Sequence, residues 1–371
     1  MQPARVLSLD VFRGLTICVM IIVNTMGAGA TPYWFLVHAD WIGFTLADLV
    51  FPSFLFVMGN ALAFVLQKPM SERAFFAKIF RRSVILFLLG FLMYWYPFVH
   101  LNADLSFALN PISQTRIMGV LQRIALCYAL AALCARYLNL KQIVFVSAVL
   151  LIGYWGLLLW GAPPGLAFSK AHNFGSMIDT LVLGPSHLWR WDDGFEPEGL
   201  LGTLPATVNV LAGFVVGRYL LQSSASDRKV FHTAFWGVIL IVAGIVLDHW
   251  FPISKKLWTG SFVLLTTGLD LVLLSALIWL LDVKKITVGV GFFDIFGKNP
   301  LVIYLFSELL LPTLALLTVF TRVDPYQWIG VELFQRLAPG ALGSLLCAVA
   351  YMLLCWGFGY VLYRKRIFIR L

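Results

Sequence analysis

The chain has 371 residues, 60% of them hydrophobic and only 12% charged, with 13 Trp, 12 Tyr and 31 Phe. Soluble globular proteins carry about 45–50% apolar and about 25% charged residues, so a soluble domain is excluded. The aromatic content excludes disorder, five cysteines in so long a chain exclude a disulfide scaffold, and the charge of +9 needs an explanation other than nucleic acid.

A spanning helix needs about 20 mostly apolar residues. Segments of that kind occur at 11–29, 44–66, 83–100, 117–137, 142–160, 200–220, 233–250, 259–281, 300–320 and 341–363. The first ends in Ala28-Gly29-Ala30, which resembles a signal-peptide cleavage site. Asp10, Arg13 and Asn24 interrupt its apolar run, so it reads as a retained span. The expected fold is an all-α polytopic membrane bundle of about ten helices, one domain over 1–371, with both termini cytoplasmic. Residues 161–199 form a long outer loop rich in Gly, Pro, Trp and acid, and 101–116 and 321–340 are shorter outer loops. The inner stretch 282–299, from Lys284 and Lys285 to Gly297-Lys298-Asn299-Pro300, reads as a short interfacial helix. All five cysteines lie in apolar runs without metal-ligand spacing and read as packing residues.

The charges set the orientation. With alternating spans and a cytoplasmic start, the inner segments hold 19 of the 27 basic residues, from Arg5 to Arg370. The inner face then carries +14, the outer face −3 and the spans −2, which fits the positive-inside rule; inversion breaks it.

A charged group inside a span costs at least about 2.5–3.5 kcal/mol at the centre and is a functional candidate by default. Arg13, Asp48, Arg123, Asp270 and Glu308 qualify. Each also reads as half of an interhelical ion pair or, for Asp270, as a satisfied polar group. Five of the six histidines fall on the outer side. His38 lies among aromatic residues in a tight connection and is suited to general-base work, because its ordinary pKa lies near 6.5. It reads equally as an interfacial histidine beside an aromatic belt. No metal site is expected, since no second His or Cys stands at i+3 or i+4 from any histidine. Nucleophile-elbow, P-loop, dinucleotide and HExxH motifs are absent. The residues alone therefore leave a transporter or a membrane enzyme.

Several blocks carry a resemblance. They are Ser8-Leu9-Asp10-Val11-Phe12-Arg13-Gly14, Val23-Asn24, the run from His38-Ala39-Asp40-Trp41 to Asp48-Leu49-Val50-Phe51-Pro52, and Phe56-Val57-Met58-Gly59. Further along come the run from Arg116 to Arg123-Ile124, Glu196-Pro197-Glu198-Gly199, Lys256-Leu257-Trp258-Thr259 and Gly297-Lys298-Asn299-Pro300. Over essentially its whole length the chain resembles the transmembrane heparan-α-glucosaminide N-acetyltransferase family. The resemblance implies a minimal bacterial member without the lumenal N-terminal domain of the animal enzyme. It further implies an inner-membrane acetyltransferase that takes acetyl-CoA from the cytoplasm and opens toward the periplasm.

The resemblance makes His38 catalytic, with Asn24 beside it, and leaves open an acetyl-histidine intermediate or direct transfer. Glucosamine or a glucosamine-containing sugar is the expected acceptor. The basic inner face suits the phosphates of CoA, and the acidic, aromatic outer face suits a cationic sugar. His38 is thus expected as base, Asn24 as amide donor to the acetyl carbonyl and Asp48 as orienter of the imidazole or ligand of the substrate ammonium. Asp40, Trp41, Arg123 and Glu198 are expected at the substrate, with Arg123 pairing Asp48 or facing the carbonyl. Arg13, Arg82, Lys284, Lys285 and Lys298 are the candidate CoA ligands, although each reads equally as a topology-setting charge. Lipid is an expected partner, nucleic acid is not, and a homodimer is compatible with the chain. The alternatives are a sugar or anion carrier without chemistry, for which no internal repeat speaks, and an O-acyltransferase acting on a surface glycan.

Overall fold

The computed structural model describes residues 7–102, 104, 106–222 and 225–369; Arg5 and Arg370, two of the inner-side charges, lie outside the described residues. The helices in chain order are α1 (Leu7–Asn24), α2 (Leu46–Val65), α3 (Glu72–Trp95), α4 (Val120–Tyr137), α5 (Leu140–Gly161) and the short α6 (Phe174–Leu183). They continue with α7 (Thr203–Leu221), α8 (Asp227–Asp248), α9 (Gly260–Leu277), α10 (Val290–Lys298), α11 (Pro300–Leu316) and α12 (Ala341–Arg364). Among the described residues the strands are two, β1 (Val99–Leu101) and β2 (Phe107–Leu109), paired as a small antiparallel hairpin. The molecule is an all-α polytopic bundle.

Nine helices among the described residues are long and apolar enough to cross a membrane. The tenth expected span, 83–100, is the second half of α3, which starts at Glu72 and carries Lys78, Arg81 and Arg82 in its first half. Its 24 residues rise about 36 Å, enough for the full depth of the bundle. α3 does run that depth, antiparallel to α4. Near its start Arg136 of α4 donates to the Met70 carbonyl at 3.0 Å and to Glu72 at 2.8 Å. Near its far end the ring of Tyr94 lies under Arg116, just ahead of α4. The helix stops at Trp95 because Tyr96 precedes Pro97 and is held extended, as residues before proline prefer.

All the long connections meet at one end of the bundle, called here the loop end. Trp41 Nε1 donates to the Phe168 carbonyl at 2.7 Å, Gly43 N to Ile253 O at 2.8 Å, Ile117 N to His187 O at 3.2 Å and the Tyr326 hydroxyl to Thr25 O at 2.5 Å. The opposite end has the short connections 66–71 and 138–139, capped by Ser71 and Asn139 side chains. There too Ser8 N meets Asp282, and the Asn299 amide donates to Ile367 O at 2.9 Å, so α1 starts and α12 finishes on the same side.

The centre belongs to α2, α7 and α9, while α5, α8 and α11 turn most of their apolar surface outward, as lipid-facing helices do. α2 and α7 touch backbone to backbone. A Cβ on Gly59 would collide with the Val210 carbonyl, and one on Gly213 with the Phe56 carbonyl. Small residues at a crossing permit this approach, and dispersion along the seam replaces the hydrophobic drive that lipid removes. The stretch expected as an interfacial helix is α10, and it is tucked against α1: Gly14 has no room for a Cβ beside the Phe293 carbonyl, and Ile295, Phe296 and Gly297 are buried.

Candidate active site

His38 sits at the loop end, in the connection between α1 and α2. That connection is pinned at several points. Thr45 Oγ1 donates to Val37 O at 2.8 Å, Ser254 Oγ donates to Trp41 O at 2.6 Å, and the Trp41 ring packs edge-on to Phe195 with centroids 4.8 Å apart. Trp41 thus fastens the His38 segment to two other loops.

Asp48 is the seat of the site. Thr45 and Asp48 form the capping box that opens α2. One carboxylate oxygen, Oδ2, accepts from Thr45 N at 2.9 Å, Ala39 N at 3.2 Å and Thr45 Oγ1 at 3.1 Å. The other, Oδ1, lies 2.8 Å from His38 Nδ1. Asp48 is fully buried, whereas the His38 side chain is 40% exposed. A buried carboxylate that already accepts three donors accepts the Nδ1–H of a neutral ring as its fourth. Nε2 then carries the lone pair of the ring.

Lys255, in the connection 249–259, completes this group: its Nζ lies 3.2 Å from Nδ1 and 3.0 Å from Nε2. Burial pushes the His38 pKa below its ordinary value and the Lys255 charge adds to this, with Asp48 pulling the other way. Burial likewise lowers Lys255 below the usual lysine range, against the pull of Glu198 and Asp48. His38 is thereby held toward its uncharged form, as a base near neutrality requires.

The next layer is a buried charge cluster. Arg116 donates through Nε to Glu196 at 2.9 Å and through Nη2 to Glu198 at 2.5 Å and to the other oxygen of Glu196. Its guanidinium lies between the rings of Tyr94 and Trp189, at 4.7 and 4.5 Å. Arg123 does not reach Asp48. It donates to Gly199 O at 3.0 Å and stacks on Trp258 at 4.9 Å, while Nε and Nη1 have no hydrogen-bond partner among the described residues. Those free donors border a small cavity lined also by Asn173, Asp179, Glu196 and Lys256. Burial raises the Asp179 carboxyl there to about 6. Asp40 projects fully into solvent, 3.9 Å from Lys256, which itself binds Asp192 at 2.8 Å.

Asn24, at the end of α1, donates to Glu308 of α11 at 3.2 Å and makes no hydrogen bond to His38. Asp270 is fully buried on α9 and accepts from Ser53 Oγ through one oxygen; the other has no hydrogen-bond partner among the described residues.

Comparison with known proteins supplies the remaining observation. The family described as heparan-alpha-glucosaminide N-acetyltransferase, catalytic, matches residues 5–247. The human heparan-alpha-glucosaminide N-acetyltransferase is 28% identical over 99% of this chain, and the mouse protein of the same name 26% over 98%. The chain spans 60% of the length of each of these curated relatives.

The chain belongs to the heparan-alpha-glucosaminide N-acetyltransferase catalytic family.

Within the bundle, the five basic residues expected at CoA divide. Arg13, 3.5 Å from Asp10, and Lys298, 3.7 Å from Asp294, sit where α1 meets α10, at the end opposite His38. Lys284 and Lys285 follow α9 at that same end and are exposed. Arg82 lies apart, its guanidinium 4.5 Å above the Tyr128 ring of α4. Lys255 and Arg116 were not singled out individually by the sequence reading. Arg116 pairs the Arg116–Ile124 block with Glu196-Pro197-Glu198-Gly199, although 80 positions separate its glutamate partner.

Proposed function

We propose that this chain is a transmembrane N-acetyltransferase that carries the acetyl group of cytoplasmic acetyl-CoA to the amine of glucosamine, or of a glucosamine-containing sugar, across an inner membrane. The observation that carries this reading is the His38–Asp48 pair, which leaves Nε2 with the lone pair, in a chain of an N-acetyltransferase family.

Acetyl transfer to nitrogen needs an amine that has lost its proton and a polarised thioester carbonyl. Asp48 holds the His38 tautomer, and Nε2 takes the proton from the attacking nitrogen. Asn24 supplies an amide donor, and Glu198 and Asp40 are carboxylates suited to an incoming ammonium. Arg123 and Trp41 shape the acceptor side, Arg123 by fixing the Gly199 turn and Trp41 by fastening the His38 loop. At the opposite end Arg13, Lys284, Lys285 and Lys298 offer cations to the CoA phosphates, and Arg82 is a further basic candidate. α1 alone is about 27 Å long, so the donor must extend through the bundle for its thioester to reach His38. The loop end is the periplasmic side in this reading, with both termini cytoplasmic.

The test uses the protein in proteoliposomes with acetyl-CoA and glucosamine on opposite faces. His38→Ala is expected to lower amine-dependent thiol release by at least about 10³-fold, and Asp48→Asn by about 10²–10⁴-fold through loss of the tautomer. A His38→Ala protein working at the wild-type rate would sink the assignment. Thiol release with glucose equal to that with glucosamine would favour O-acyl transfer, and sugar movement without thiol release would favour a carrier. Because the His38 pKa is lowered, the base form is lost only as pH falls below about 6.5, and the acid limb of kcat belongs there.

A further inference from the structure

Lys255 differs from the other two lysines at the loop end. Lys170 binds Asp192 at 2.5 Å and Asp193 at 2.8 Å, and Lys256 binds Asp192 at 2.8 Å. Lys255 has no carboxylate at ion-pair distance among the described residues; its hydrogen-bonding contacts are the two nitrogens of His38. Distances of 3.2 and 3.0 Å to both nitrogens place Nζ over the ring rather than in its plane, off the line of the Nε2 lone pair. Nδ1–H donates to Asp48, so Nε2 is the sole acceptor the ring offers. At least two of the three N–H donors of an ammonium here therefore lack an acceptor among the described residues. In a half-buried position such donors cost free energy until an acceptor arrives.

The acceptor that arrives in the proposed reaction is the acetyl oxygen. We propose that Lys255 is a catalytic residue, its ammonium stabilising the oxyanion that forms on the acetyl carbonyl beside His38. This rests on the acetyl-transfer reading. The lone pair of the acceptor nitrogen forms the new C–N bond as the carbonyl π pair moves onto oxygen, next to Nζ. Collapse restores the C=O bond and breaks the C–S bond, with its electron pair leaving on sulfur. His38 Nε2 takes the proton lost by nitrogen and returns it to sulfur, so an amide and a thiol depart and the protein is unchanged.

The same cation has a second effect. His38 is faced by Asp48 from α2, Lys255 from 249–259 and Glu198 from the 162–202 connection, and Lys255 is itself faced by Glu198, Asp48, Lys256 and Arg123. An ammonium about 3 Å from the ring opposes its protonation. Removing that charge should therefore move the acid limb of activity upward in pH.

Lys255→Met and Lys255→Arg in proteoliposomes test this, with Lys255→Gln in reserve should the methionine variant not fold. Loss of charge is expected to lower kcat by about 10²–10³-fold, to leave KM for glucosamine within about threefold and to raise the acid limb. Lys255→Arg should keep the limb in place and recover part of kcat. Carbethoxylation of His38 by diethyl pyrocarbonate, followed by peptide mass against pH, reads the ring without acetyl transfer; its midpoint should rise in Lys255→Met. A neutral variant with kcat, limb and midpoint all as in wild type overturns the role of Lys255 while acetyl transfer stands. A wild type that transfers no acetyl group overturns the function instead, and the oxyanion role with it.

Discussion

The two ends of the bundle carry charge in opposite ways. At the loop end several charges are buried and matched: Arg116 between Glu196 and Glu198, Lys256 on Asp192, and the Asp48 carboxylate on His38. At the other end more of the charge lies on the surface: Lys284 and Lys285 are exposed, and the Arg136–Glu72 pair, at 2.8 Å, is itself partly exposed. Buried charges survive only with partners of good geometry, so the loop end has one arrangement and can serve as a reaction site. Exposed charges at the far end act as a field, which attracts phosphate and fixes orientation without demanding a single geometry.

That contrast can be broken most strongly at Arg116. Arg116→Met leaves two carboxylates buried without their cation and is expected to cost about 3–5 kcal/mol, seen as a lowered unfolding temperature in detergent. Adding Glu196→Gln should return part of it. A loss no larger than that of an exposed arginine would mean the cluster is not held as described.

A middle-sized effect belongs to Asp179. Its carboxyl is raised to about 6 by burial, so the folded state prefers it protonated, and stability falls as pH rises from about 4 through 6. Asp179→Asn keeps an acceptor for Leu200 N, now at 2.8 Å, and removes the penalty. It should stabilise by about 2 kcal/mol at pH 7.5, with the gain shrinking toward pH 4. A gain independent of pH would assign the effect to packing.

The smallest effect is expected at the far end. Lys284→Met with Lys285→Met should raise KM for acetyl-CoA several-fold, about 1 kcal/mol, and leave KM for the sugar and kcat alone. Added salt should mimic the double variant. Equal changes in both Michaelis constants would tie these lysines to folding or insertion.

Much of the fold was legible because a spanning helix announces itself over about 20 residues. α3 blurred for a physical reason: its basic first half looks like a connection, and only contact with α4 reveals that the helix continues through it. Asp48 could be read in place from the capping-box spacing Thr45 to Asp48. Its bond to His38 could be suspected, since ten positions separate them. The approach of Lys255 could not, because 217 positions intervene and nothing in Ser254-Lys255-Lys256 distinguishes the lysine facing the imidazole from the one bound to Asp192. The one available signal was that two adjacent cations sit on the side from which basic residues are otherwise depleted.

The glycine seam between α2 and α7 has a mechanical consequence. Helices in backbone contact at Gly59 and Gly213 cannot slide by a fraction of a turn without a carbonyl striking a Cα, so they form one stiff beam. Asp48 stands at one corner of that beam, and the Glu196–Gly202 turn leads directly into the other. The imidazole's anchor and the acidic turn facing it therefore keep a fixed spacing, and strain applied to either is transmitted to both.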